Sequence, residues 1–568
     1  MNCDSVTKKL TFLIITGLVG LGLSGCARRN YKADADEKVY NIIDYKWRDD
    51  FGTKANYKIS DTVPSPNDIV IEKEVTSFGV LTLPQAVALA TAHNREYQTQ
   101  KEALYIKALD LDLIRHNFER LYYGRLKGTY AKAKGVDYVG AGSGLGPRFS
   151  PRRADQDLPV DPQGALDGDE FGVSNGFGFD QLLTDGTRIG TNVALSWGRI
   201  LNGAFKGESL ISLLSFEITK PLLRGSDRRV VLESLTQAER DVLYQVRSFN
   251  RFRKTFVVMV VGQYYRVLEL YDVVRNAEDN HKSLTALSEH VEKLASVGRV
   301  PLLEVGRLRQ EILRAREVCL QATKEYEQAL DEFKITLGLP TTAEFQLDES
   351  VLNDLKAAGI PPPDFSENEA IETALLHRLD LANTTDAIFD SQRKVLVAAD
   401  GLRTQLDLSV NTNIVLQGLS SSDAKALQDL FLSGLLVDLP FDRDLEQNIY
   451  RKTLIALNQR LRESDQAADM VTLEVRQAYR DLTEAAERHR VQSEGLKLAE
   501  KRFENTFMLM KYGRASSRRV LQARDDLFDA QKAATDALVD FTIATLEFYR
   551  DTGTLRVRPD GMWQLGAS

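Results

Sequence analysis

The chain has 568 residues, 43% hydrophobic and 27% charged, which is enough apolar material for a core and too much for a disordered chain. Its formal net charge of -8, with no basic face or tail, argues against nucleic acid as a partner. The 3 cysteines lack metal-ligand spacing and are too few for a disulfide framework in a chain of this length.

Lys8 and Lys9 precede an apolar run from Leu10 to Leu23, which closes on Ser24, Gly25 and Cys26. A basic start, a short apolar run and small residues form an export signal, and the run is too short for a comfortable membrane span. The closing residues match a bacterial lipobox, so cleavage before Cys26 and acylation of its thiol are expected, with outer-membrane lipid as the anchor. The plainer alternative is an ordinary signal peptide that ends near a cysteine. Ala27 follows, not the aspartate that in many enteric bacteria retains a lipoprotein in the inner membrane. Residues 27–78 are polar and patternless and read as an extended tether.

A helix is expected from Thr82, where Gln85 can complete a capping box and Pro84 lies in the first turn. Ser366 and Glu369 repeat that box 284 residues later, and Ala86, Ala90 and His93 recur as Ala370, Ala374 and His377. This equivalence favours a packing or polar-face role for both histidines over one as ligand or base. Extended regions follow. In the first half, 124–146 is glycine-rich, and its run from Gly140 to Gly146 lacks the Lys-Ser/Thr and the strand–helix context of a phosphate loop. Phe177–Leu183 and Thr187–Trp197 flank a Thr184-Asp185-Gly186 turn, and Leu210–Thr219 is a further strand candidate. The second-half counterparts are Gln405–Gln417 and Leu430–Phe441.

From Ser226 to Val297 no helix breaker interrupts the chain, which predicts a rod of about 100 Å. It breaks at Gly298, Arg299, Val300 and Pro301, then returns with Val305, Leu308, Ile312, Ala315, Cys319, Ala322, Tyr326, Ala329 and Phe333 in heptad spacing. Cys319 therefore reads as a small buried apolar residue. A second break at Gly513, Arg514, Ala515 and Ser516 is followed by Val520, Leu527, Ala534, Phe541 and Phe548. The two breaks are 215 residues apart, as are the closing glycines Gly338 and Gly553, which points to an internal duplication. With no spanning helix and too few strands for a barrel, membrane insertion would need strands pooled from several subunits.

In this order of motifs the sequence resembles the TolC-like outer-membrane efflux factors, from about Leu81 to Leu555. The resemblance rests on Leu81–Ala86, Lys220–Gly225, Val297–Pro301 and Phe333–Leu339 in the first half, and on Ser366–Ala370, Leu439–Phe441 and Tyr512-Gly513 in the second. It implies a mainly α fold with β, a TolC-like trimeric α/β-barrel. Long coiled-coil hairpins would form a periplasmic tunnel, and four strands per subunit would pool into one outer-membrane β-barrel. The strands around Phe171–Trp197 exceed that number and have no assigned place. The implied organisation is a lipoprotein signal peptide (1–25), an acylated tether (26–80), a first repeat (81–340), a linker (341–365), a second repeat (366–555) and a tail (556–568).

The resemblance further implies a passive duct, not an enzyme, working as a homotrimer with a periplasmic adaptor and an inner-membrane transporter. The tips, with Glu304 and Val305 on the first, would dock the adaptor and close the entrance. No cofactor or metal is expected, and no nucleophile–base set is present. A non-channel coiled-coil scaffold lipoprotein is the alternative. The acidic residue six positions after Gly298 is Glu304; six after Gly513 stands Arg519, with Gln522 three further on. A guanidinium ring in the entrance is therefore expected, unless Arg519 pairs with Asp525 or Asp526.

Changing Cys26 to Ser should abolish incorporation of a fatty-acid analogue into the chain. Persistent labelling would contradict acylation at this residue.

Overall fold

The structure, a computed structural model, describes residues 31–47, 54, 57–59, 79–133, 168–202, 208–298, 301–352, 355, 366–418, 425–439, 441–512, 514–558 and 563–565. The expected acylation site Cys26, residues 134–146 of the glycine-rich stretch and the tip residues Arg299, Val300 and Gly513 lie outside them.

In chain order the elements are α1 (Tyr31–Lys46), β1 (Val80–Leu81), α2 (Leu83–His93), α3 (Arg95–His116), β2 (Leu121–Ala133), β3 (Gly168–Leu182), β4 (Arg188–Asn202) and β5 (Glu208–Pro221). Next come α4 (Arg228–Val231), α5 (Glu233–Ser296), α6 (Leu302–Leu337), β6 (Gln346–Leu347), α7 (Glu367–His377), α8 (Leu379–Gly401), β7 (Gln405–Gly418) and β8 (Lys425–Asp438). The chain closes with α9 (Asp444–Lys511), α10 (Ser517–Asp551), β9 (Leu555–Val557) and β10 (Trp563–Leu565). The duplication is visible in the lengths: α2 and α7 both have 11 residues, α5 and α9 have 64 and 68, and α6 and α10 have 36 and 35. At 1.5 Å per residue the two long helices each run about 100 Å.

The described residues divide into two compact units. One draws on Met1–Asp110, Glu239–Phe389 and Gln459–Ser568 and holds the helical hairpins. The heptad positions form its seams: Val305, Leu308, Ala315, Ala322 and Phe333 are buried on α6, and Val520, Leu527, Phe541 and Phe548 on α10. Cys319 is only half-buried, although its seam neighbours Ala315 and Ala322 are buried. Phe548 is fully buried beside Ala370, Ala374, Val475 and Ala478, a side chain whose removal costs about 3–5 kcal/mol. Charge fastens the same helices. Asp536 and Asp540, one turn apart on α10, are gripped from α5 by Arg266 (3.1 Å to Asp536) and from α9 by Arg488 (2.6 and 2.8 Å).

Both capping boxes form: the Thr82 N–H donates to Gln85 Oε1 at 3.0 Å and the Ser366 N–H to Glu369 Oε2 at 2.9 Å. Leu81 is pinned by a parallel pairing with Leu347 and accepts a bond from the Tyr264 hydroxyl at 3.1 Å. The segment expected to be an extended tether contains α1. Val39, Ile42 and Ile43 share one face and are buried, while Tyr105 donates to Asp36 at 2.7 Å and Lys46 pairs with Glu239 at 3.4 Å. Only three apolar residues carry this amphipathicity, and partners remote in sequence stabilise it.

The second unit draws on Leu111–Ala238 and Asp390–Asn458. Its centre is one six-stranded sheet of order β2-β3-β4-β5-β7-β8, antiparallel throughout. Four strands per subunit were expected. Among the described residues the sheet has six, since Leu121–Ala133 is a full strand rather than part of a glycine-rich loop, and the 168–202 hairpin is inserted into the sheet. One face is apolar from edge to edge: Tyr122, Phe177, Val193, Leu214, Leu408 and Leu435 are all exposed there. The opposite face carries Arg125, Ser174, Asn192, Glu217, Asn411 and Ser409. Leu432 and Leu436 on β8 depart from this alternation, being exposed on the polar face.

His93 and His377 end the opening helices against the glycines that close the hairpins. Gly338 has φ +76° and a Cβ there would stand 2.6 Å from the His93 carbonyl oxygen; Gly553 has φ +79° with 3.2 Å to that of His377. The contact is made by the backbone of each histidine; the His377 ring itself is exposed, 3.0 Å from the Thr373 carbonyl of its own helix. A left-handed conformation alone costs an L-residue about 1–2 kcal/mol. Gly338→Ala should therefore lower the thermal midpoint, and by more than Gly553→Ala, whose neighbour stands farther away. Equal midpoints for both variants and the parent would refute this.

The helical tips as a candidate entrance and docking site

The first tip is a tight reversal. Gly298, at φ +75°, donates its N–H to Ala295 O at 2.9 Å, and nothing lies within 4 Å of a Cβ built there, so backbone conformation rather than space calls for glycine. Pro301 caps α6 in extended conformation, and Glu304 N–H bonds back to its carbonyl at 3.0 Å. Val297, Leu302 and Leu303 are exposed by 67%, 80% and 66%, an apolar rim unusual for the end of a solvated hairpin. Val305 turns inward, into a cluster with Leu284, Val291, Leu308, Ala315 and Leu521. Leu521 belongs to α10, so the two hairpins share a core near their tips. Glu304 is ion-paired with Arg307 on its own helix at 3.0 Å, while its Oε2 is buried with no partner among the described residues.

At the second tip Arg514 N–H bonds to Leu509 O at 2.8 Å, Tyr512 is exposed, and Ser516 caps α10. Ala515 lies half-buried beside it. Ser517, Val520 and Leu521 face inward, which leaves Arg518, Arg519 and Gln522 on the exposed side. Among the described residues Arg519 is paired with neither carboxylate weighed above. Asp526 is taken by Arg502 of α9. Asp525 stands among acids: burial first, then Glu311, Asp529 and Asp526, push its carboxyl up to about 6.

Sequence reasoning missed Arg524. Its guanidinium reaches Asn280 (3.0 Å) and Ser283 (3.3 Å) on α5 and lies over the Phe503 ring of α9, at 5.2 Å from the centroid. One side chain on α10 so joins both long helices just behind the tips. No feature of its local sequence marks it, because its partners are 241 and 244 residues distant.

Among the described residues no three His, Cys, Asp or Glu side chains converge as metal ligands, and no helix is long and apolar enough to cross a membrane. Paired long hairpins together with an antiparallel sheet that has one apolar face are the fold of TolC-type outer-membrane channels. Among solved structures the chain is similar to the CusC channel, at TM-score 0.56 and 14% identity over 88% of this chain and 96% of that one. The Campylobacter jejuni CmeC outer membrane channel gives 0.55 and 13% over 89% and 91%. The open state of the Neisseria gonorrhoeae MtrE outer membrane channel gives 0.54 and 12% over 83% and 88%. At such identities it is the fold that is shared. No family model and no curated protein matches the chain in sequence.

A carboxyl that titrates higher folded than unfolded holds its proton more tightly in the native state. Stability from Asp525 is therefore full below the ordinary value of 3.8 and is lost as pH rises through about 6. Asp525→Asn should raise the melting temperature at pH 7.5 and leave it nearly unchanged at pH 4. A gain of the same size at both pH values would contradict this origin.

Proposed function

We propose that this chain is the outer-membrane channel of an efflux or export system. It would be a passive homotrimeric duct whose sheets pool into one barrel and whose hairpins form a tunnel in the periplasm. The observation that carries the reading is the six-stranded sheet, with its apolar face exposed from edge to edge and both edges open. Lipid tolerates no unpaired sheet edge, and six strands are fewer than any known membrane barrel closes with. Further copies of the chain supply the missing partners.

The tips take the remaining roles. The apolar rim of Val297, Leu302 and Leu303 suits contact with a periplasmic adaptor, which in turn would couple the duct to an inner-membrane transporter. Acylation at Cys26 would add a lipid anchor to the barrel. Similarity of fold to channels such as CmeC and MtrE supports this assignment over a scaffold or an enzyme.

The entrance has its own electrostatics. In a trimer Arg519 recurs three times around the axis, and rings of like charge set ion preference. Its exposure without a carboxylate partner among the described residues, and the Arg307 beside Glu304, both weaken a cation-binding ring. Purified protein should form pores in planar bilayers that divalent cations on the tip side do not block. Arg519→Asp should introduce block. No pores at all would defeat the channel reading, and strong block of the parent, unchanged by Arg519→Asp, would defeat the entrance assignment alone.

A further inference from the structure

The hairpin of β3 and β4 is built into the sheet, not appended to it. Its register with β2 runs without a break from Leu121↔Asp180 to Ala133↔Gly168, and with β5 from Arg188↔Thr219 to Arg199↔Glu208. Its two strands have 15 residues each, against 13 and 14 for β2 and β5, so all reach the same height. The alternation also continues through it. Phe177 pairs with Val193, and Val193 with Leu214, all exposed on the apolar face; Ser174, Gly176, Gly190 and Asn192 lie on the other. Tyr123 lies flat over Gly178, where a Cβ would stand 2.7 Å from its ring, and so locks β2 to β3 on the polar face.

The turn of this hairpin is equally fixed. Leu183 N–H bonds to Thr187 O at 2.8 Å, and Thr187 N–H to the Asp185 carboxylate at 3.0 Å. Asp185 also pairs with Lys220 at 3.4 Å, just before the chain leaves the sheet. Gly186, at φ +82°, sits so close that a Cβ would lie 2.5 Å from Gly225 O and 2.8 Å from Pro221. Gly225 is held in turn by its N–H bond to Asp400 at 2.7 Å.

From this we infer that the membrane barrel has eighteen strands, six from each of three chains, and a lumen wider than four strands per chain would enclose. The inference rests on the trimeric-channel reading above. Six is even, so the edge strands β2 and β8 run in opposite directions. β8 of one copy can then pair with β2 of the next and keep the barrel antiparallel. Barrel diameter grows roughly linearly with strand number, so eighteen strands give a backbone diameter about 1.5 times that of twelve, roughly 36 Å against 24 Å at ordinary strand spacing and tilt. In mid-strand the side chains that β3 and β4 add to the polar face at positions 174, 176, 190, 192 and 194 are serine, glycine, glycine, asparagine and alanine, which take little of that width; the larger Asp180 and Arg188 stand at the turn end. The duct would pass solutes too bulky for a twelve-stranded lumen.

Spin labels on single cysteines test this in the full-length, membrane-inserted protein with Cys319 changed to Ala. Labels at Phe177 and Val193 should be relaxed by lipid-soluble oxygen as strongly as labels at Leu214 and Leu408. Labels at Ser174 and Asn192 should instead respond to an aqueous nickel complex, as at Asn411. Lipid exposure at Leu214 and Leu408 with aqueous exposure at Phe177 and Val193 would overturn the eighteen-stranded barrel and leave the channel standing. Loss of lipid exposure at all four would overturn both. Polymer exclusion from the side of the strand loops gives a second readout. Deleting residues 168–202 should reduce the largest admitted polymer diameter by at least about 1.5-fold, since side chains take a similar width from either barrel, and an unchanged cutoff would overturn the wider lumen. If the deletion variant fails to assemble, the spin-label pattern decides.

Discussion

A sheet that is apolar on one face and open at both edges cannot rest alone in either water or lipid. In water the exposed Tyr122, Phe177, Val193, Leu214 and Leu435 invite association; in lipid the unpaired N–H and C=O groups of β2 and β8 each cost several kcal/mol. One arrangement relieves both: copies of the same sheet joined edge to edge, apolar face outward. Such a heterologous contact closes into a ring when the rotation permits it. Each copy that joins such a ring brings its own two hairpins with it, so the number of hairpins follows from the closure.

The helices meet a different demand. A rod of about 100 Å buries too little against itself to be stable, so its order comes from neighbours along its whole length. The seams on α6 and α10 supply the apolar part. The gripping of Asp536 and Asp540 by Arg266 and Arg488, and the reach of Arg524 to Asn280, Ser283 and Phe503, supply the polar part. Exposed ion pairs contribute only about 0–1 kcal/mol each. Their weight here is geometric, because two carboxylates one turn apart can accept both arginines in a single register. Near the tips the balance shifts. Asp525 sits with Glu311, Asp526 and Asp529, and among the described residues no arginine holds it as Arg266 holds Glu269 beside Asp536 and Asp540 in the middle of the hairpins.

The duplication was plain from the chain alone, because the constraints that produce it are local. A capping box needs residues three apart, a seam needs apolar residues at three- and four-residue steps, and a reversal needs glycine. Thr82 with Gln85, Ser366 with Glu369, the run from Val305 to Phe333 and the reversal at Gly298 could all be read directly. The strand pairs around Asp185-Gly186 and in the second half were legible for the same reason, as alternation bounded by turns.

Tertiary structure decided what depends on partners distant in sequence. β2 hid in a glycine-rich stretch because Gly124 and Gly128 weaken its alternation, and only pairing with β3 makes it a strand. The number of strands in the sheet was likewise undetermined, since nothing local says whether a hairpin joins a sheet or stands beside it. α1 owes its order to Tyr105 and Glu239, and Arg524 its role to Asn280 and Phe503. At the second tip the sequence places Arg519 at the position equivalent to Glu304 of the first, but whether it is neutralised turns on Asp526, which Arg502 of another helix engages. Periodicity reports what a residue is beside on its own element; which element comes to lie against it is settled only when the chain has folded.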